Sequence, residues 1–559
     1  MKPVFRSSLL GVAPPVLLGI VLRLFGLSGQ VLVDDEWHSL NFVLGKSFGA
    51  VLTTHGAGAN CIPQNVLNWL LLHTVGWSET TLYFPSILFG VLGLLVFPAL
   101  VARLAGRTAA ILFTWLLAVS PCVVFYSRIV RPYSAVLFFG FHALLCLALW
   151  AREGRPRLLL AYAFSGFAAI YGHLYAAPPV LAPLLALFLL SLVRRRDVHR
   201  LPPRPLLGTG IFMAALLALF LGPAHWKNPW WLQTMDRDRV ALRGLWDFLS
   251  LLAGTRFVAV KLLFAALAGY GLVAWIRKEF RIGLLWASSW AAFFLLLVFA
   301  TQDGMHAGIQ VARYNIVLFP VAMLLAASAL DALLARLSCR RRVAASALLM
   351  AGLLAGSPLW RTFDLPNNFM HHSAFQDSYA PFDDAQSRLR LLTPFPQMPR
   401  ERLHPIYSAW AADPAVRGIV EYPMYVGDPF NLFHYFQHFH RKPLAIGYVP
   451  DFPFPPLPSN EDWVFGTTPV DYVLARAQAL GFGEKMRFRN LIPLSDSARL
   501  RQGRSGWLLV VHRDVLRETL AIQLKGGNAV PPVFLAAMLN RDFGAPVFSD
   551  ARISAWRIP

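Results

Sequence analysis

Thr81-Leu-Tyr-Phe-Pro-Ser-Ile-Leu-Phe-Gly-Val-Leu-Gly-Leu-Leu-Val-Phe-Pro-Ala-Leu-Val-Ala102 carries no charge, and Arg103 follows it at once. An apolar run of this length crosses the roughly 30 Å hydrocarbon core of a bilayer as one α-helix. Ten further segments read the same way, near 9–28, 108–126, 133–151, 157–171, 173–193, 206–225, 257–276, 282–300, 313–335 and 343–360. Composition agrees: of 559 residues, 56% are hydrophobic and 14% charged, a balance outside that of soluble domains. The sequence therefore predicts a polytopic α-helical membrane protein with about eleven transmembrane helices.

Charge orients the spans. Residues 1–361 hold 31 Lys/Arg against 12 Asp/Glu, whereas residues 362–559 hold 20 against 18. The loops bearing Lys2/Arg6, Arg103/Arg107, Arg152/Arg155/Arg157, Arg194 to Arg204, Arg277/Lys278/Arg281 and Arg336 to Arg342 contain 19 cations; the alternate loops contain 9. The positive-inside rule assigns the first set to the cytoplasm. The N-terminus is then inside, and an odd number of spans leaves residues 362–559 outside. Orientation explains the net charge of +21 and excludes nucleic acid as its reason. The first apolar run lacks a small-x-small cleavage site before Asp34 and reads as a retained signal anchor.

The chain divides into a membrane domain, 1–361, and an outer domain, 362–559. In the latter, Gly418 to Tyr422 and Ser505 to His512 have strand character, and Asn431 to His440, Arg513 to Ile522 and Pro532 to Asn540 have helical character. Their alternation predicts a small α/β domain. Cys61, Cys122, Cys146 and Cys339 all precede it, which excludes a disulfide framework there. Between the spans, Trp37 to Phe48 reads as an interfacial helix and Val66 to Val75 as a surface or re-entrant stretch. The segment 226–256, with Trp226, Trp230, Trp231 and Trp246, is expected to lie on the bilayer.

Asp34-Asp35-Glu36 is the only run of three acids, and it sits where the first span ends. Carboxylates beside a membrane are costly and are kept mostly for a task. These could take a proton from an acceptor, hold a divalent cation, or cap the following helix; a cap needs one acid, not three. Arg128 and Arg131, within Tyr126-Ser-Arg-Ile-Val-Arg-Pro-Tyr133, run against the positive-inside trend. Arginine binds phosphate oxygens bidentately and keeps its charge in a partly dry site. Arg313-Tyr314 repeats the cation–aromatic pattern, with Arg256 a weaker instance. In Tyr171-Gly-His-Leu-Tyr175, His173 stands between aromatic residues at an outer turn, with Tyr175 able to stack on a sugar face. Asp236-Arg-Asp238 reads as a solvated, salt-bridged helix, and His371, His372, His434, His438 and His440 read as surface residues rather than metal ligands.

A carboxylate wall and an Arg/Tyr wall around an outward cavity suit transfer from a lipid-linked phosphosugar: arginines stabilise the leaving phosphate and the carboxylate activates the acceptor. A transporter or flippase of lipid-linked glycans would share the cavity and the arginines without needing a base. Such a protein more often shows internal repeats and charged or broken central spans.

At these residues the chain resembles the GT-C glycosyltransferases, in the bacterial branch related to protein O-mannosyltransferases and the lipid A aminoarabinose transferase. Asp35, Glu36 and Ser39 look like that family's first-loop acidic motif, and Leu70 to Glu79, Tyr126 to Tyr133 and Arg313 to Pro320 look like later landmarks in the same order. The resemblance covers about residues 1–340. It implies a polyprenyl-phosphate-sugar donor, an inverting reaction, an envelope acceptor (lipid, glycan or protein) and a bacterial inner-membrane location. It also implies that Asp35 is the base or a metal-adjacent carboxylate, with Asp34 and Glu36 beside it and a divalent cation possible but unassigned. Ile62-Pro-Gln-Asn65 replaces the family's Pro-Pro-Leu-Tyr-like entry, so acceptor identity does not carry over.

Overall fold

The structure is a computed structural model. It describes residues 4–25, 46–55, 61–76, 79–193, 201–227, 242–255, 257–299, 308–335, 337–355, 404–422, 503–512 and 532–559, together with Leu27, Glu36, Phe42, Val43, Ser357, Leu359, His440, Lys442, 465–466, 492–493 and Arg501. Its contacts gather into two compact units. One holds residues 1–28, 46–365 and 378–380; the other holds 29–45, 366–377 and 381–559.

The first unit is helical throughout its described part. In chain order its helices are α1 (Val4–Leu24), α2 (Phe48–Thr53), α3 (Ile62–Thr74), α4 (Glu79–Ala105), α5 (Arg107–Val119), α6 (Pro121–Tyr126), α7 (Tyr133–Glu153), α8 (Pro156–Gly172), α9 (Ala177–Val193), α10 (Pro203–Lys227), α11 (Leu242–Ala253), α12 (Val258–Lys278), α13 (Phe280–Phe299), α14 (Gly308–Tyr314), α15 (Leu318–Leu334) and α16 (Cys339–Ala355). Helices cover the described part of each of the eleven predicted spans, two helices apiece in the third and the tenth, and among the described residues six helices are long and apolar enough to cross a membrane. The protein is a multi-pass membrane protein.

The shorter spans have local causes. The third is broken at Ser120-Pro121 into α5 and α6, because Pro121 has no N–H to continue the ladder and fits best as a first helical residue. The tenth is interrupted by a turn at Asn315–Val317, which separates α14 from α15. At the other end of the bundle, α7 stops where Gly154 takes φ +69° and donates its N–H to Trp150 O at 2.8 Å, a left-handed cap that only glycine adopts without strain.

α7 and α15 form the middle of the bundle. α7 packs on α4 and α8, and α15 packs on α5 and α12. The α12–α15 crossing depends on Gly271, where an added Cβ would sit 2.1 Å from Leu325 O. At the Arg-rich end, Arg103 pairs with Glu153 at 2.8 Å and Arg152 with Glu279 at 2.5 Å. Arg152 also donates to Leu104 O at 2.8 Å, so one side chain ties α4 and α7 to the turn between α12 and α13. α11 is held to α12 by Lys261, whose Nζ donates to Ser250 Oγ at 2.7 Å and lies 4.1 Å from the Trp246 ring centre.

The second unit contains α17 (Ile406–Ala412), β1 (Ile419–Tyr422), β2 (Phe465–Gly466), β3 (Ile492–Pro493), β4 (Leu508–His512), α18 (Pro532–Phe543), β5 (Phe548–Ser549) and β6 (Ile553–Arg557). One sheet has the order β1-β4-β6-β5. β1 pairs parallel with β4, Ile419 opposite Leu508, and β6 pairs antiparallel with β4, Leu508 opposite Arg557. The two strands and the last helix expected from the sequence are present; the helices expected at 431–440 and 513–522 lie outside the described residues, apart from His440. That histidine is a correction. It is buried rather than superficial, because its ring stacks on Tyr407 at 5.5 Å and its Nδ1 accepts the Lys442 N–H at 3.0 Å. Tyr407 in turn donates its hydroxyl to buried Glu421 at 2.8 Å.

Gly271→Ala is expected to destabilise the detergent-solubilised protein by about 1–3 kcal/mol, the usual cost of overpacking. Gly208→Ala, where an added Cβ meets nothing within 4 Å, should be neutral or stabilising by up to about 1 kcal/mol through helix propensity. In thermal melts Gly271→Ala should fall below the unaltered protein and Gly208→Ala should not.

Candidate functional site

Three turns, far apart in sequence, meet at one end of the first unit. The first, 127–132, links α6 to α7 and carries Arg131, with Tyr133 opening α7. The second, 173–176, links α8 to α9 and carries His173 and Tyr175. The third is the end of α14, Arg313-Tyr314.

Their rings form a continuous cluster. Tyr126 meets Tyr133 edge-on at 4.9 Å, and Tyr133 lies 5.6 Å from His173. His173 stacks on Tyr314 at 5.1 Å, and Tyr175 stacks on the same Tyr314 at 4.9 Å with the rings 14° from parallel. Cations flank the cluster: the Arg131 guanidinium is 6.0 Å from the Tyr133 ring centre, and that of Arg313 is 5.0 Å from the Tyr314 ring centre. Arg313 also donates to Tyr314 Oη at 3.3 Å.

Burial, reinforced by the guanidiniums of Arg131 and Arg313, pushes the His173 pKa down to about 3. Its imidazole is therefore neutral at neutral pH and offers one donor and one acceptor. Both arginines reach that ring through its neighbours, since Tyr133, beside Arg131, and Tyr314, beside Arg313, each pack on His173. A site of this kind binds anionic oxygens through its guanidiniums and flat or apolar surface through its rings.

The sequence named eight residues for this role, and Arg131, Tyr133, His173, Tyr175, Arg313 and Tyr314 are the six that the fold draws into the cluster. Arg128 does a different task. Fully buried, it donates to Leu22 O at 3.2 Å and Phe25 O at 2.6 Å, satisfying carbonyls that the end of α1 leaves open. Burial lowers its pKa to about 10, still charged at neutral pH. The turn is also tied to α4, since Ser134 donates to Ser86 O at 2.7 Å and Ser86 donates to Arg131 O at 3.3 Å. Asp34, Asp35 and Arg256 lie outside the described residues. Glu36 is helical and buried and belongs to the second unit. Among the described residues no three His, Cys, Asp or Glu side chains are grouped as metal ligands.

One feature was missed by the sequence reading. α3 starts at Ile62, earlier than the expected surface stretch, and buries an amide face of Gln64, Asn65 and Asn68. Gln64 Nε2 donates to Asn68 Oδ1 at 2.9 Å. The signal was available: three amides at i, i+1 and i+4 occupy one side of a helix in an otherwise apolar stretch.

The family model of dolichyl-phosphate-mannose-protein mannosyltransferase matches residues 65–226, which include the first two turns of the cluster. No curated protein matches the chain by sequence. Among solved structures, ArnT from Cupriavidus metallidurans in the apo state is similar with TM-score 0.55 and 15% identity, covering 100% of this chain and 99% of that one. ArnT from the same organism bound to undecaprenyl phosphate is similar with TM-score 0.55 and 16% identity, covering 98% of each. The fold of the chain is thus similar to that of ArnT along nearly the full length of both proteins.

The His173 shift has a sign that can be measured. Its folded pKa lies below the unfolded 6.5, so between about 6.5 and 3 the unfolded chain binds a proton that the folded one refuses. Its contribution to stability is full above that window and is lost as pH falls through it. Melting temperature in detergent should fall between pH 7 and pH 4.5, and His173→Phe should flatten the decline. Equal slopes would show that this half-buried imidazole is not held neutral.

Proposed function

We propose that this chain is a membrane glycosyltransferase that moves a sugar from a polyprenyl-phosphate-linked donor to an envelope acceptor, on the outer face of a bacterial inner membrane. The observation that carries the reading is the convergence of Arg131 and Arg313 on one ring cluster built from three distant turns. Support comes from the fold shared with a protein solved bound to undecaprenyl phosphate, and from the name of the family model that matches residues 65–226. The proposed orientation has the N-terminus in the cytoplasm, residues 1–361 as the catalytic membrane domain and residues 362–559 outside.

In the proposed reaction Arg131 and Arg313 grip the donor phosphate. As the bond between sugar C1 and the phosphate oxygen breaks, the electron pair stays on the phosphate, where the guanidiniums stabilise it. The acceptor hydroxyl or amine attacks C1 from the opposite face, which inverts the anomeric centre. Its proton passes to a first-loop carboxylate, Asp35 or else Asp34, with Glu36 beside them. Tyr175 and Tyr314 supply a stacking face for the sugar, and neutral His173 a hydrogen bond that does not compete for the phosphate.

The test is native mass spectrometry of the gently solubilised protein with a polyprenyl-phosphate sugar, paired with turnover. Arg131→Ala and Arg313→Ala should each weaken donor retention about 10- to 100-fold, as expected for a charge-assisted hydrogen bond. Asp35→Asn should retain donor while turnover falls about 10²–10⁴-fold. Donor movement across vesicles with no glycosylated product, and with Asp35→Asn unimpaired, would establish a flippase instead.

A further inference from the structure

At the end of the first unit opposite the ring cluster, an open groove runs between α8 and α10. α8 defines the two ends, because Arg157 stands in its first turn and His173 follows its last residue. The groove is amphipathic along its length. Arg157 and Arg281, near the starts of α8 and α13, line it together with the apolar Leu160, Ala163, Gly208 and Phe212, of which Leu160 and Phe212 are exposed. Leu160 and Ala163 lie about 4.5 and 9 Å along α8 from Arg157, at 1.5 Å per residue. Gly208 keeps the wall of α10 thin, since an added Cβ there meets nothing within 4 Å. Phe212 meets Phe164 of α8 edge-on at 5.4 Å and joins the two helices.

The charge balance around the two arginines favours an anion. Glu153 is bridged by Arg103 at 2.8 Å and by Arg155 at 3.2 Å, and Glu279 by Arg152 at 2.5 Å. Arg157 is exposed and makes no ion pair among the described residues. A cation at the lipid–water boundary above an apolar cleft two helical turns long matches a phosphate with acyl chains beneath it. Free phosphate would leave the apolar walls unfilled.

We infer that this groove is a binding site for an anionic diacyl phospholipid of the phosphatidylglycerol type, drawn from the leaflet at the Arg-rich end of the bundle. The inference is independent of the proposed transferase: it needs only a chain embedded in a bilayer, and its test involves neither donor nor acceptor.

Native mass spectrometry of the full chain, offered equal amounts of phosphatidylglycerol and phosphatidylethanolamine, provides the test. Phosphatidylglycerol should be retained in preference. Arg157→Gln should lower its retention about fivefold, the worth of one basic residue near an anionic surface. Gly208→Leu, which fills the cleft without changing charge, should lower it as well. Arg277→Gln, an exposed charge at the same end but outside the groove, should leave it unchanged. Equal retention of the two lipids, or equal losses in Arg157→Gln and Arg277→Gln, would overturn the assignment. So would displacement of phosphatidylglycerol from the groove by a polyprenyl phosphate.

Discussion

The hydrogen bonds from Arg128 to Leu22 O and Phe25 O set the position of everything the ring cluster needs. A helix that ends inside a bilayer protein leaves carbonyls with no water to accept from. Arg128 supplies donors from across the bundle, and in doing so pins the turn that carries Arg131 against α1. Ser86 and Ser134 pin the same turn to α4. With that turn fixed, Tyr133 begins α7 in a set direction, and the contact from Tyr133 through His173 to Tyr314 follows.

The two ends of α8 show one helix in two electrostatic settings. At His173 burial and adjacent cations exclude a proton. At Arg157 the charge is exposed and the neighbouring acids are already paired. The separation follows from desolvation. A buried ring next to guanidiniums is most stable when neutral, whereas basic side chains at the lipid boundary reach into the headgroups and stay ionised. The asymmetry that orients the chain in sequence therefore has a structural counterpart at each end of a single span.

Much of the bundle was legible because bilayer thickness imposes a length on apolar runs, so residues such as 81–102 and 133–151 leave few alternatives. Helix breaks were less legible. Pro14 and Pro15 sit within α1 and Pro98 within α4 without ending either helix, while Pro121 divides the third span. That six of the candidate residues would cluster was legible because cations and aromatics in the sparsely charged loops stand out against the charge trend. Arg128 has the same signature in sequence as Arg131, and only the path of α1 past the turn separates a helix cap from a candidate ligand group. The amide face of α3 was overlooked because a window judged for hydropathy averages Gln64, Asn65 and Asn68 into their apolar neighbours. Strands β5 and β6 were missed for a different reason: each is short, and β6 owes its place to pairing with β4 rather than to a strong pattern of its own.

The span between Phe25 and Arg128 also carries a timing consequence. The first helix is made early, but the side chain that completes its end is 103 residues downstream. At ribosomal rates of about 5–20 residues per second, that is an interval of roughly 5–20 s. During it, the nascent first helix must lean on water, lipid headgroups or the insertion machinery for the bonds that Arg128 later supplies. The ring cluster therefore cannot be set until α1, α4 and the turn before α7 are all in the membrane. An arrest of synthesis before residue 128 would leave an inserted but unlatched α1, a natural substrate for membrane quality control.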